Sequence, residues 1–419
     1  MLLALHIVLR FICSMRMTTD TGSLALHLSC PTCTDQPNCK KQFDINDLNT
    51  YATCCNQPLV TDYDLSGNFD KEFVFEKDQS MWRYFKLLPV LDRKNVVSLG
   101  EGMTPILKLN RIGKKYGYTN LALKNEEMNP TGSFKSRGLS VAVSKAKELG
   151  VKEIVMPTAG NAGGALSAYC AAAGIKCTVI MPAISPKIFK DECRFYGANL
   201  ILMDGLIDKC GQKAVEIQKE TGAFNMSTLK EPYRLQGKRT MGFEIAEQYD
   251  WKLPDVIVYP TGGGTGLIAI WEAFQQMVTM GWLDGTKLPK MVAVQSSNCS
   301  PVIDYIEGRD SNPELYTESV AYGLAVPSAF GRDLISQTIQ ESKGYCITTD
   351  EKMILPATSE LAEAEGIAVA PETGAIWEGL KNLTNDGVIS KDDSILLLNT
   401  GNALKYLESF NGQVVPGLN

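Results

Sequence analysis

From Val96 onward the chain alternates short apolar runs with longer amphipathic stretches. Runs rich in Val, Ile, Leu and Met read as strands at Glu153 to Met156, Cys177 to Met181, Asn199 to Met203, Val256 to Tyr259, Met291 to Gln295 and Ile395 to Asn399. Leu139 to Leu149, Ala162 to Ala173, Ile188 to Tyr196 and Asp208 to Glu220 read as helices, and another follows Gly266. Apolar runs separated by helices predict an α/β fold with a parallel sheet covered on both faces. Ligands of such sheets sit at the carboxyl ends of the strands. Residues 18 to about 75 have another texture, polar and rich in Asp, Asn and Cys. There is no internal repeat and no low-complexity tract.

The strand ends carry the chemistry. Thr261-Gly262-Gly263-Gly264-Thr265-Gly266 follows one strand and opens a helix. Free backbone N–H groups at such a turn form an anion site. A tight turn would also use glycine, but three in a row with flanking hydroxyls exceed that need. The loop lacks the lysine of a P-loop and the spacing of a dinucleotide fingerprint. Upstream, Asn129-Pro130-Thr131-Gly132-Ser133-Phe134-Lys135-Ser136-Arg137-Gly138 sets one lysine among Gly, Ser and Thr just ahead of a helix. Burial and nearby cations can make such an amine nucleophilic. A reactive lysine and a separate phosphate cradle together point to pyridoxal phosphate, which needs both. Asn161, after Pro157-Thr158-Ala159-Gly160, is suited to the cofactor's phenolic oxygen or, equally, to capping a helix. Thr400, in Asn399-Thr400-Gly401-Asn402, is suited to the pyridine nitrogen or to a plain N-cap. Thr104, in Leu99-Gly100-Glu101-Gly102-Met103-Thr104-Pro105, is a loop hydroxyl that a substrate oxyanion would suit.

Composition narrows the field. The 419 residues suffice for two domains, and 44% hydrophobic with 21% charged content is ordinary for a globular protein. The formal charge of −6, without a basic aromatic patch, argues against nucleic acid. The chain has two histidines, His6 and His27, both outside the motifs, which removes a histidine triad or His-rich metal site from the catalytic region. Twelve scattered cysteines read as free thiols of a reducing, cytoplasmic compartment. The apolar stretch from Met1 to Cys13 has no basic residue before it and is short for a spanning helix. It is read as a leader outside the fold, or a start codon placed too early, and no membrane partner is expected.

The order GEGMTP, NPTGSFKSRG, PTAGNAGG, PTGGGTG and NTGNALK, from about residue 80 to 407, resembles the threonine synthase branch of the fold type II pyridoxal-phosphate enzymes. The resemblance implies two open parallel-sheet domains of the tryptophan synthase β-like architecture. These are a larger cofactor-binding domain of residues 76–138 with 246–419 and a smaller α/β domain of 139–245, behind an N-terminal extension of 1–75. It implies a Schiff base on Lys135, a contact from Asn161 to O3′, a phosphate held by Gly262, Gly263, Gly264, Thr265 and Gly266, and Thr400 facing the ring nitrogen. Thr104, Thr131, Ser133 and Arg137 then become candidates for the substrate's phosphate and carboxylate, Arg through its bidentate fork. The implied reaction is a lyase reaction of threonine biosynthesis, O-phospho-L-homoserine and water giving L-threonine and phosphate. The implied assembly is a homodimer. Ser136 stands where the family usually has Asp, which is closer to the members acting on serine, threonine or O-phosphoserine by β-elimination or β-replacement. The N-terminal cysteine ribbon of some relatives is degraded here. Cys30 and Cys33 form one pair, Cys54 and Cys55 are adjacent, and Cys39 lies between. No metal is expected, and the weak candidate set is Cys30, Cys33, Cys39 and Cys55.

Overall fold

The computed structural model describes residues 22–31, 42–52, 54–67, 69–71, 77–205 and 207–410. Cys33, Cys39 and the stretch from Met1 to Cys13 lie outside them. Three short strands come first, β1 (Ala25–Ser29), β2 (Gln42–Asp44) and β3 (Val60–Tyr63). Next are β4 (Ile106–Lys108), α1 (Asn110–Tyr116), β5 (Asn120–Asn125) and α2 (Lys135–Glu148). Then follow β6 (Glu153–Pro157), α3 (Ala162–Ala173), β7 (Lys176–Pro182), α4 (Lys187–Phe195), β8 (Asn199–Met203), α5 (Ile207–Thr221) and β9 (Phe224–Asn225). The chain continues through α6 (Tyr233–Gln248), β10 (Val256–Pro260), α7 (Thr265–Thr279), β11 (Lys290–Ser296), α8 (Pro301–Ile306), α9 (Arg332–Glu341) and β12 (Tyr345–Thr349). It closes with α10 (Glu351–Glu365), α11 (Pro371–Asn385), β13 (Ser394–Asn399) and α12 (Leu407–Phe410).

These strands build three sheets. β2-β1-β3 is antiparallel. The largest runs β12-β11-β10-β13-β5-β4, parallel except for the edge strand β4. The third runs β8-β7-β6-β9 and is parallel throughout. Central strands such as β10 and β13 are apolar on both faces because helices cover both. The two parallel sheets draw on separate stretches, 106–125 with 256–399 and 153–225. We propose these as the cores of the two domains 76–138 with 246–419 and 139–245.

All the strands expected from the apolar runs are present, that at Asn199–Met203 with unchanged ends and the others slightly extended. Helix α2 begins earlier than expected, at Lys135 rather than Leu139, because its polar first turn is itself buried. The polar stretch before residue 75 holds the antiparallel sheet.

One cluster of charges fixes α2 in place. Arg137 is fully buried between two buried carboxylates. Its Nε donates to Glu126 Oε2 at 2.6 Å, its Nη1 to Glu244 Oε1 at 2.5 Å, and its Nη2 to Glu126 Oε1 at 2.8 Å and Glu244 Oε2 at 2.7 Å. Thr240 and Thr104 take further donations at 3.0 and 3.2 Å. Lys124, also fully buried, pairs with Glu244 at 2.8 Å. Two cations and two anions therefore balance without solvent, joining β5, the turn after it, α2 and α6. Burial pushes the Glu244 carboxyl up, but Arg137 and Lys124 overcome it and bring it down to about 2. Gly237 lets α6 cross α2 closely, since a Cβ there would collide with the Arg137 carbonyl.

Removing one member of a buried ion cluster leaves the others unpaired, at about 3–5 kcal/mol. Arg137→Met should lower unfolding stability by about that amount in chemical denaturation. The combined Arg137→Met, Glu126→Gln, Glu244→Gln chain should lose less than the sum of its single changes. A combined loss equal to the sum of the single losses would show that the charges do not act as one unit.

Candidate active site

The carboxyl ends of four strands converge. β5 leads to the lysine motif, β6 to Thr158–Asn161, β10 to the glycine loop and β13 to Thr400. Phe134 N–H donates to the Thr400 carbonyl at 3.2 Å, and Ser133 pairs across to Gly401. The lysine motif and the Thr400 turn are thus one unit. Lys135, the first residue of α2, is half-buried, with its Nζ 4.0 Å from the centroid of the Phe134 ring. Burial, and then the positive charge of Arg234, bring its amine down to about 7, while Glu372 pulls the other way. An amine in that range is free to attack a carbonyl at neutral pH.

Asn161 does not cap α3. Its backbone is helical and its side chain makes no capping bond. Its Nδ2 instead donates to Tyr406 Oη at 3.1 Å, and Tyr406 O–H donates to Glu372 Oε1 at 3.0 Å. Gly323 N–H donates to the same carboxyl oxygen at 2.8 Å. The carbonyl of Gly323 lies hard against Gly262, so this chain of bonds reaches the glycine loop from the far side. In that loop Gly264 takes the left-handed conformation, with φ of 65°, and turns the chain into α7. Thr400 is buried, and the capping role falls to Asn402, which accepts from Leu404 N–H at 2.8 Å.

The substrate candidates divide. Ser133 is fully buried with its hydroxyl unpartnered. Thr131 has a left-handed backbone, φ 60°, unusual for a β-branched residue, and Lys405 Nζ donates to its carbonyl at 2.7 Å. Lys405 also pairs with Glu192 of α4 at 2.7 Å. Arg137 and Thr104 need correction. Every N–H group of the Arg137 guanidinium is engaged inside the charge cluster, and Thr104 Oγ1 donates to Glu126 Oε1 at 2.6 Å. The Arg137 guanidinium has no N–H left for a substrate, and the Thr104 hydroxyl proton is committed to Glu126. Ser136, which follows the lysine, donates its hydroxyl to the Pro130 carbonyl. An Asp there would offer that carbonyl only acceptors.

Three residues at the site were not apparent in the sequence. Glu372 and Arg234 both act electrostatically on Lys135. Lys238 lies one turn beyond Arg234 on α6, over the same Phe134 ring at 5.3 Å. The four-residue spacing of Arg234 and Lys238 was a usable signal, but on a polar helix it reads as a solvated face. Two surface clefts, one lined by Glu153, Cys177 and Asn199 and one by Trp251, Leu283 and Asp393, contain none of these residues. Among the described residues no cluster of His, Cys, Asp and Glu is arranged to hold a metal ion. Cys30 and Cys55 bring their sulfurs to 3.5 Å.

Ser133 Oγ, Asn161 Oδ1, Glu372 Oε2 and Arg234 Nε are buried without a hydrogen-bond partner. Buried polar atoms are nearly always paired, so these donors and acceptors fit a polar ligand beside Lys135. The family model for pyridoxal-phosphate dependent enzymes matches residues 97–401. The chain belongs to that family.

Among curated proteins it is 34% identical to a threonine synthase of Methanocaldococcus jannaschii over 373 residues, 88% of this chain and 91% of the relative. A threonine synthase of Methanosarcina acetivorans is 34% identical over 371 residues, 88% of this chain and 90% of the relative. Among solved structures, an O-ureido-L-serine synthase superposes with a TM-score of 0.60 at 23% identity, covering 74% of this chain and 93% of that one. Maize serine racemase gives 0.61 at 21% identity, covering 73% and 93%. These two share the fold. The protein is thus a pyridoxal-phosphate-dependent lyase of the threonine synthase family, and its cofactor is pyridoxal phosphate.

The lowered Lys135 amine sets a pH dependence. The protonated amine cannot attack the cofactor's aldehyde, so cofactor capture should accelerate as pH rises through about 7 and level off above it. Stopped-flow absorbance on the cofactor-stripped chain checks this. A rate still climbing near the ordinary lysine range would contradict the lowered amine. Borohydride should then fix the cofactor on the peptide carrying Lys135.

Proposed function

We propose that the chain converts O-phospho-L-homoserine and water to L-threonine and phosphate. The observation that carries this reading is the concentration of buried basic side chains around Lys135. Arg234 and Lys238 are buried beside it, Glu231 and Glu372 act against them, and Glu231 Oε1 lies 4.0 Å from Arg234 Nε. A phosphorylated cofactor and a phosphorylated amino acid would together supply the missing negative charge. Identity of 34% to threonine synthases over most of both chains supports the same reading.

In this reading the cofactor, when bound, supplies the electron sink that makes the substrate's Cα–H acidic. Lys135 takes the Cα proton as a neutral amine and later returns one to Cα. A second proton leaves Cβ as phosphate departs from Cγ. Cγ gains a proton and becomes the methyl group, the hydroxyl of water adds at Cβ, and water's remaining proton leaves with the phosphate. Arg234, whose Nε makes no hydrogen bond and lies 4.0 Å from Glu231 Oε1, takes the role of anion anchor in place of Arg137. Its Nη1 is held by the Met226 carbonyl at 2.9 Å, so the guanidinium is fixed in position. In this reading Ser133 Oγ is the matching neutral donor, Asn161 contacts O3′ and Thr400 faces the ring nitrogen.

Amino-acid and phosphate analysis with O-phospho-L-homoserine and O-phospho-L-serine tests the reading. Threonine and phosphate in equal amounts from the first substrate are expected. Turnover of O-phospho-L-serine alone would move the chain to the β-eliminating or β-replacing members. Arg234→Met should lower kcat/KM for the phosphorylated substrate about 10- to 100-fold, as loss of a charge-assisted anion contact does. An unchanged value would remove Arg234 from substrate binding.

A further inference from the structure

Lys238 is a fully buried lysine in the middle of α6. Its Nζ donates to Thr265 Oγ1 at 2.6 Å. Thr265 closes the glycine loop and is the first residue of α7, so the ammonium group stands directly against the anion site. Its surroundings are cationic. Lys135 and Lys238 lie over one ring, that of Phe134, at 4.0 and 5.3 Å from its centroid, and Arg234 is one turn away on the same helix. Among the described residues no carboxylate is within ion-pair distance of Lys238, and Glu231 offsets its charge only at longer range. Burial, with Arg234 and Lys135, pushes its amine well down. A buried cation with one neutral hydroxyl for company is costly to keep unless an anion joins it.

We infer that Lys238 is a charge anchor for the cofactor's phosphate, holding it from beside Thr265 while the backbone N–H groups of the glycine loop hold it from below. The inference rests on pyridoxal phosphate being the cofactor and on the loop being its phosphate site. Contact with Thr265 assigns Lys238 to that phosphate. Arg234 is left to the substrate. The glycine loop and the start of α7 bind by hydrogen bonding and helix dipole. Lys238 adds a full charge that those features lack, and a charge-assisted bond of that kind is about twice as strong as a neutral one.

The test uses the cofactor-stripped chain, with Lys238→Gln, which keeps a donor for Thr265, and Lys238→Arg, which keeps the charge. Binding of pyridoxal phosphate and of pyridoxal, which has no phosphate, is followed by absorbance. Thermal midpoints are measured with and without inorganic phosphate. Lys238→Gln should weaken pyridoxal phosphate binding about 10- to 100-fold and leave pyridoxal binding unchanged. It should also abolish stabilisation by inorganic phosphate, while its own ligand-free midpoint holds or rises. Lys238→Arg should restore much of the phosphate-dependent affinity. Wild-type affinity for pyridoxal phosphate in Lys238→Gln would overturn the inference. So would an equal loss for pyridoxal with no recovery in Lys238→Arg, which would mark a helix-packing role. Failure of the unaltered chain to bind pyridoxal phosphate would instead overturn the cofactor assignment itself.

Discussion

The buried pairing of Arg137 with Glu126 and Glu244 is the constraint on which the site depends. Burying four charged groups is expensive, and the cost is met only when each finds its partners in the right geometry. Here the partners come from β5, the turn behind it, α2 and α6. Those elements can be arranged in few ways that satisfy all four charges. The arrangement they adopt puts Lys135 at the front of α2 and turns Arg234 and Lys238 on α6 toward it.

On the site side the logic is reversed. The cluster behind α2 is neutral and complete, whereas in front Lys135 and Lys238 have no carboxylate within ion-pair distance among the described residues and Arg234 has Glu231 at 4.0 Å. Adjacent surfaces of the same two helices therefore carry opposite electrostatic conditions, one closed and one awaiting an anion. The Asn161, Tyr406 and Glu372 chain faces that group from the other parallel sheet and α11. It contributes the carboxylate that keeps the local charge from rising further.

Much of this was legible in the sequence, and the exceptions share one cause. β10, β13 and α3 were visible because burial on all sides leaves an apolar run or a small-residue helix. α6 was not, since Arg234, Lys238, Arg239 and Glu244 make it look like a solvated surface although all four are buried. β5 was obscured in the same way by Lys124. Arg137 misled for a related reason. A guanidinium among Gly, Ser and Thr resembles a hand held out to a ligand, and the carboxylates that occupy it lie eleven residues before and 107 after. The glycine loop and Lys135 stood out because backbone conformation and nucleophile placement are local properties. Charge pairing is not local, so Glu372 could be recognised only after folding, and the spacing of Arg234 and Lys238 gained its meaning only there.

Lys135 and Arg137 are two residues apart on one helix, so their side chains leave it on nearly opposite sides. Turning α2 to carry the amine toward a new position would drag the guanidinium out of its four-charge seat. The backbone under Lys135 therefore behaves as a stator. Whatever travel the amine needs, between linkage to the cofactor and proton delivery at the substrate, must come from rotation about the bonds of its own methylene stem. That assigns the moving part of the enzyme to one side chain and leaves larger adjustments to the segments that carry no buried charge.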